Sequence, residues 1–459
     1  MNRELVDEAR WRAEAGLLAN GSTADGPSAL GLLGANQAYQ QVWARDSMIC
    51  ALGLLVCERD EGAAVHRRSL QTLRAHQSPL GKIPHNVGLP DGDHRAPVGL
   101  NGSLHNENGS TAAVADTAHA GCVDSNLWYI VGHYAAYVHG MEKDPGAGSD
   151  LLRESWPSLQ QALLWLRYQD SNECGLLEVH EAMDWADLFA NRYNVLFDNV
   201  LYYAAWKSMA TMAQALGEES AFYHEQAQDV HRKLNALLWV GPESPKDWRW
   251  IDGVRKEWLY PLRRVETELV ERPFYLPYMA FRDYADRFDT LANLLAILVG
   301  VADAVKTDKI LDYIEGCGLN QPYPVQALYP VIHPGERDWR EYYRLRNLNQ
   351  PHHYHNGGAW PFIGGFYVAA LVKAGRQAEA ERQLEKLALM NREGRKRAGD
   401  EPPWEFNEWF HGLSGRPMGH ARQSWSLALY IFAHEAVRQG RVPIFGDAVE
   451  AGPRGEVAR

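Results

Sequence analysis

The sequence predicts an all-α chain closed into an (α/α)6 toroid, six inner helices ringed by six outer ones. Three observations carry this. About a dozen segments place apolar residues at i, i+3, i+4 and i+7; the segments come in pairs joined alternately by short turns and by long irregular stretches; and alternating β-type segments are few and short. No fixed repeat period runs through the chain, which disfavours a stacked helical solenoid.

Taken in order, an N-terminal helix is followed by helical periodicity over 47–55, 65–76, 126–138, 158–168, 199–216, 221–238, 290–301, 309–315, 365–374, 378–390 and 423–437. Two long stretches interrupt the pairs, 84–116 and 318–353. Irregular stretches of that length in a compact domain usually carry function, and the first, rich in Gly, Asn, Ser and His, is a candidate lid. With no linker to cut it, the chain reads as one domain over residues 1–445 with a polar tail over 446–459.

Composition narrows the partners. The 459 residues carry a net charge of −12 without a run of Lys and Arg, so neither nucleic acid nor an anionic membrane is expected, and the partner is expected to be neutral. The longest apolar run, 291–301, is too short to span a bilayer, and Met1-Asn-Arg-Glu-Leu-Val-Asp-Glu8 is charged where a signal peptide is apolar. Cys50, Cys57, Cys122, Cys174 and Cys317 show neither Cys-x-x-Cys spacing nor a zinc-spaced His set. They read as reduced thiols of a cytoplasmic protein that uses no metal. Oligomeric state is open, a homo-oligomer included.

The 16 Trp and 21 Tyr are many for this length, and several stand beside Asp, Asn, His or Gly instead of inside apolar runs. Any single one is more simply a helix-interface residue. As a group they suit a sugar, whose C–H face stacks on rings and whose hydroxyls take carboxylates and amides.

Two acids stand out in this setting: Asp184 in Glu181-Ala-Met-Asp-Trp-Ala-Asp187, and Glu408 in Phe406-Asn-Glu-Trp-Phe-His411. A carboxyl walled by rings loses solvent and keeps its proton, while a wetter partner stays ionised, the pairing that glycoside hydrolysis needs. Asp187 and Glu405, each three residues away, are rivals for the two roles. Four further segments set polar and aromatic residues at helix starts or turns. Trp43-Ala-Arg45-Asp46 offers Asp46 as a cap held by Arg45. Asp124-Ser-Asn-Leu-Trp128 repeats the arrangement, with Asp124 or Ser125 as cap. His355-Asn356-Gly-Gly-Ala-Trp360 is a glycine turn that lets backbone approach a ligand, and Gly419-His-Ala-Arg-Gln423-Ser-Trp425 opens the last helix.

These residues resemble the alkaline/neutral invertases, glycoside hydrolase family 100, and more distantly the (α/α)6-barrel α-glucosidase, trehalase and glucosylglycerate-hydrolase group. The likeness runs in one order through Gln41-Val-Trp-Ala-Arg-Asp46, Leu70-Gln-Thr-Leu-Arg74, Val123-Asp-Ser-Asn-Leu-Trp128, Leu291-Ala-Asn-Leu-Leu-Ala-Ile297, His355-Asn-Gly-Gly-Ala-Trp-Pro361 and Gly415-Arg-Pro-Met-Gly-His-Ala-Arg-Gln-Ser-Trp425.

The resemblance implies an inverting hydrolase of a small α-glucoside, a sucrose-like disaccharide or a glucosyl conjugate, with Asp184 as general acid, Glu408 as base and no cofactor. It further implies that Arg45 and Asp46 bind sugar hydroxyls, that Trp43, Trp128 and Trp360 are stacking walls and that Asn356 is a rim contact. Asp124, Asp187, His355, Trp409, Gln423 and Trp425 complete the expected substrate set.

The chain departs from the invertases at Trp185-Ala186, where they continue with a basic pair, and at Asn194-Val-Leu-Phe-Asp-Asn199, where they have His-Pro-Leu-Glu-Ile-Gln. Both stretches lie on the approach to the acid and bear on which glycoside is cleaved. The alternatives are a hydrolase of another α-glycoside (mannosyl, trehalose-like or debranching), a sugar epimerase using His352, His353 or His355, and a sugar-binding protein without catalysis.

Overall fold

In the computed structural model, residues 1–21, 30–35, 38–88, 114–115, 122–143, 145–241, 256–395 and 402–445 are described. They form thirteen α-helices: α1 (Arg3–Ala19), α2 (Ala44–Leu54), α3 (Glu61–Ala75), α4 (Val123–Lys143), α5 (Pro145–Arg167), α6 (Leu196–Leu216), α7 (Ala221–Leu237), α8 (Lys256–Glu268), α9 (Thr290–Val299), α10 (Ala304–Gly316), α11 (Pro361–Lys373), α12 (Gln377–Arg392) and α13 (Ser424–Gln439).

Six of the helices close a ring. α2 packs on α4, α4 on α6, α6 on α9, α9 on α11, α11 on α13, and α13 back on α2. Sequence explains why these six are inside. All ten residues of α9 and all but the last of α11 are buried, because neither helix has a polar face to offer water. The outer helices are one-sided: α3 buries Gly62 and the stripe Val65, His66, Ser69, Leu70 and Leu73, and leaves its other residues partly or fully exposed. α1 covers α13 and α12, α5 covers α4, α7 covers α6, and α12 covers α11. Glycines in the left-handed conformation, Gly217 at φ +75° and Gly300 at φ +86°, end α6 and α9 and turn the chain outward.

The two ends of the described chain are stitched together. The Tyr430 hydroxyl donates to the Val6 carbonyl at 3.0 Å, and Asn20 Nδ2 donates to Ser424 Oγ and to the Arg422 carbonyl, both at 2.9 Å.

Ten strands of two or three residues line one end of the ring: β1 (Val42–Trp43), β2 (Asn86–Gly88), β3 (Val114–Ala115), β4 (Asn194–Val195), β5 (Tyr278–Ala280), β6 (Asp283–Tyr284), β7 (Phe288–Asp289), β8 (Leu328–Tyr329), β9 (Trp409–Phe410) and β10 (Pro417–Met418). β1, β4 and β7 run directly into the inner helices α2, α6 and α9. Their pairing with β2, β5 and β8 therefore fixes where those helices begin.

The predicted helices are found within about five residues of their expected limits, except that α5, expected over 158–168, already begins at Pro145, and there are two additions. α8 contains Pro261, which removes a helical N–H and hides the segment from a periodicity reading, although Trp258, Leu262 and Val265 share one buried face. A 3-10 turn, Glu341–Asn347, lies in the long stretch 318–353. Most of the candidate lid, 89–113 with residue 116, and the tail 446–459 lie outside the described residues. None of the five cysteines forms a disulfide, and among the described residues no helix is long and apolar enough to cross a membrane and no group of side chains is arranged to hold a metal ion.

Candidate active site

The N-terminal ends of the six inner helices converge on one mouth, and the acids flagged by the sequence gather there with Asp289. Asp46 lies in the first turn of α2 and Asp124 in that of α4; Asp184 precedes α6, Asp289 caps α9, and Glu408 precedes α13. Helix N-termini carry partial positive charge, so this end of the barrel is where carboxylates are tolerated.

Glu408 is 5% exposed. Its Oε2 accepts the His420 N–H at 3.1 Å, and its Oε1 lies 3.5 Å from the Tyr39 hydroxyl. Burial, with the charges of Asp46 and Asp187 nearby, pushes its carboxyl up to about 7. The close approach of 419–420 depends on glycine. Gly419 has φ +67°, and a Cβ there would lie 2.6 Å from Glu408 Cβ.

Asp184 is 1% exposed; its Oδ1 accepts the Ala186 N–H at 2.8 Å and its Oδ2 the Asn191 amide at 3.3 Å. Burial, then the Asp124 charge, holds its carboxyl well above the usual carboxylate range. Asp187 is different: its side chain is 39% exposed and faces His355 Nε2 across 3.2 Å. The charge of Asp187 also acts on Tyr39, Asp46, Tyr354 and Glu408, which places it in the same cavity as the base candidate.

Two expectations about caps are corrected here. Arg45 Nη1 pairs with Asp124 Oδ2 at 2.6 Å, while Asp46 stands 3.8 Å from Arg45 Nε, so Arg45 bridges α2 to α4 instead of forking onto Asp46. Neither acid caps its helix, since the residue before α2 is Trp43 with no side-chain cap, and α4 already begins at Val123. Asp46 is left with a carboxyl raised to about 6 by burial.

The aromatic residues divide by burial. Trp43 is half-buried, edge-on to Tyr39 and His85, and can present a face to a ligand. Trp128 and Trp360 are fully buried and form the floor, not stacking walls, because a fully covered ring has no face left for a sugar. Around Trp360, His355 stacks in parallel at 5.4 Å, and Trp185 and Trp425 meet it edge-on at 5.7 Å. Trp409 is 3% exposed against His353 and Tyr354.

Asn356 is not a rim contact. It is wholly buried, and its amide is spent on the Ile332 N–H and on the Ile332 and Asn349 carbonyls, which staples the loop. Residues not singled out from the sequence also enter the mouth. They are Tyr39, the half-buried Tyr354, and Asp198 and Asp289 in the acidic group. Tyr39 was signalled only by its place three residues before β1.

Several buried polar atoms of this region have no hydrogen-bond partner among the described residues: Trp43 Nε1, Arg45 Nε, Asp124 Oδ1, Trp185 Nε1, Gln423 Oε1 and Trp425 Nε1. Unpaired buried donors and acceptors are costly. A polyhydroxylated ligand that satisfies them is the chemistry the arrangement suits.

Residues 279–440 match the family model described as alkaline and neutral invertase, a stretch that contains His355, Glu408 and Trp425 and excludes Asp184. Alkaline/neutral invertase E, chloroplastic, of Arabidopsis thaliana is 36% identical over 152 residues, 32% of this chain and 23% of that protein. Neutral/alkaline invertase 1, mitochondrial, of rice is 29% identical over 150 residues. The matched stretch thus spans less than a quarter of these relatives.

Similarity in fold extends over nearly the whole chain. A family 63 mannosylglycerate hydrolase from Thermus thermophilus, solved with glucose, superposes with a TM-score of 0.60 at 17% identity, covering 92% of this chain and 98% of that one. A bacterial glucoamylase complexed with acarbose gives 0.56 at 14% identity, covering 90% and 51%. The chain is an (α/α)6 barrel of the glycosidase type whose residues 279–440 are related in sequence to the alkaline and neutral invertases.

Proposed function

We propose that the chain is an inverting glycoside hydrolase acting on a small α-glucoside, with Asp184 as general acid and Glu408 as general base. The observation that carries the reading is the meeting, at one mouth, of two buried acids on separate loops with a set of buried polar atoms that lack partners. In the step envisaged, the Asp184 carboxyl gives its proton to the glycosidic oxygen as the C–O bond breaks. Glu408 takes a proton from a water that attacks the anomeric carbon from the opposite face, so an α-glucoside releases a β-sugar.

Asp184 is preferred to Asp187 because an acid must enter the reaction protonated. Burial raises the Asp184 carboxyl and favours its protonated form, whereas the Asp187 side chain is 39% exposed and faces His355 across 3.2 Å. In this reading Arg45 and Asp46, at the start of α2, receive sugar hydroxyls, and Trp43 covers an apolar face.

The test is to incubate the protein with sucrose, trehalose, kojibiose, maltose, isomaltose, glucosylglycerol, glucosylglycerate and mannosyl analogues, following products and first-formed anomer by NMR. Asp184→Asn and Glu408→Gln are expected to abolish release, and Asp187→Asn to retain part of it. An isomerised sugar would replace this reading with the epimerase one, and recovery of every ligand unchanged with the sugar-binding one.

A further inference from the structure

The loop that bears Asp184 is held in a conformation it would not choose alone. It is pinched at its base, where Val179 and Tyr193 exchange backbone hydrogen bonds. Within that neck Ala182 (φ +64°) and Leu188 (φ +62°), with Tyr193 itself (φ +64°), occupy the left-handed region without being glycine. Such residues persist only where their surroundings over-determine them.

One set of contacts onto this loop comes from the segment 337–349. Arg340 Nε donates to Glu181 Oε1 at 3.0 Å and the Tyr342 hydroxyl to the same oxygen at 2.7 Å. The Tyr343 hydroxyl accepts the Ala190 N–H at 3.0 Å while its ring stacks on Phe189 at 5.0 Å, and Asn349 Nδ2 donates to the Leu188 carbonyl at 2.9 Å. On the far side Arg192 reaches Glu181 at 3.7 Å and Asp283 at 3.0 Å, and Arg337 joins Asp283 at 3.3 Å.

Glu181 is where these lines cross, three residues before Asp184. The pairs at Glu181 are a quarter to a third exposed, so they add little to global stability. What they fix is direction.

We propose that Glu181, clamped by Arg340 and Tyr342, is a positioning residue that aims the acid-bearing loop at the scissile oxygen. The inference rests on the hydrolase reading. It holds for whichever acid of this loop gives the proton, because Asp184 and Asp187 both lie inside the clamped span. An acid 1 Å out of place loses proton transfer before it loses substrate binding.

The experiment uses the full chain and two substrates: the best O-glucoside from the panel, and α-D-glucosyl fluoride, whose leaving group needs little protonation. Glu181→Gln is expected to lower kcat on the O-glucoside about tenfold with KM within about twofold, and to leave turnover of the fluoride within about twofold of wild type. Equal losses on both substrates, or no loss on either, would overturn the proposal.

If Glu181→Gln does not fold, Tyr342→Phe removes one bond of the clamp and must show the same split, at smaller size. Wild-type protein inert on both substrates would refute the hydrolase reading, and the clamp with it. An active wild type that either Asp184→Asn or Asp187→Asn silences, combined with an unsplit Glu181→Gln, would refute the clamp alone.

Discussion

Replacing Glu408 with Gln should make the protein more stable at alkaline pH and inactive at every pH. Burial raises the Glu408 carboxyl from its ordinary 4.5 to about 7, so the native state binds this proton more tightly than the unfolded chain does. The stability this represents is fully present below pH 4.5 and is lost as pH rises through about 7. At about 1.4 kcal/mol per unit, the native protein gives up about 3 kcal/mol by pH 8, against under about 1 kcal/mol at pH 5. Gln carries no charge to desolvate, and its oxygen can still accept the His420 N–H.

With an unfolding entropy of about 2 cal/mol/K per residue over 459 residues, the variant should melt about 3 °C above wild type at pH 8 and within about 1 °C at pH 5. Differential scanning calorimetry at the two pH values, with the NMR activity assay alongside, reads both halves. A melting difference that is the same at pH 5 and pH 8 would refute the placement of Glu408 as a buried, charge-strained base. So would retained activity.

Two further outcomes follow from the same site. A base that must be ionised gives a kcat/KM that rises with pH through about 7 and falls about tenfold per unit below it; a profile flat between pH 5 and 8 would exclude Glu408 as the titrating base. Gly419→Ala pushes a methyl into Glu408 and forces a left-handed alanine, so thermal melts should show about 1–3 kcal/mol of destabilisation together with loss of turnover; a neutral outcome would show that residues 419–420 do not position Glu408.

The ring of helices was legible in the number of periodic segments and in their pairing by alternating short and long connections; the structure adds that Thr290–Val299, which has no polar face, is buried on every side. The acids Asp184 and Glu408 were legible from residue type and setting, and both lie at the mouth. What sequence could not separate was a ring facing a ligand from a ring facing the core. Trp128, Trp360 and Asn356 stand beside polar residues in sequence, as Trp43 does, yet side-chain direction turns the first three inward. Nor could it reveal that Arg45 answers Asp124, a residue 79 positions away, instead of its neighbour Asp46. α8 was lost to Pro261, a local rule outweighed by burial of Trp258.

Closure of the ring by α13 against α2 has a consequence for how the chain folds. Each inner helix from α2 to α11 can find one neighbour as soon as the next hairpin is made, but the seam between first and last waits until residues 424–439 have left the ribosome. Until then α2 and α11 present two greasy open flanks, and Glu408 and Trp425 have no place to go. Folding that depends on so distant a contact is slow and prone to association. The mouth where Asp184 and Glu408 gather is therefore among the last parts of the molecule to exist, and expression yield should respond to chaperone supply more sharply than native stability alone would suggest.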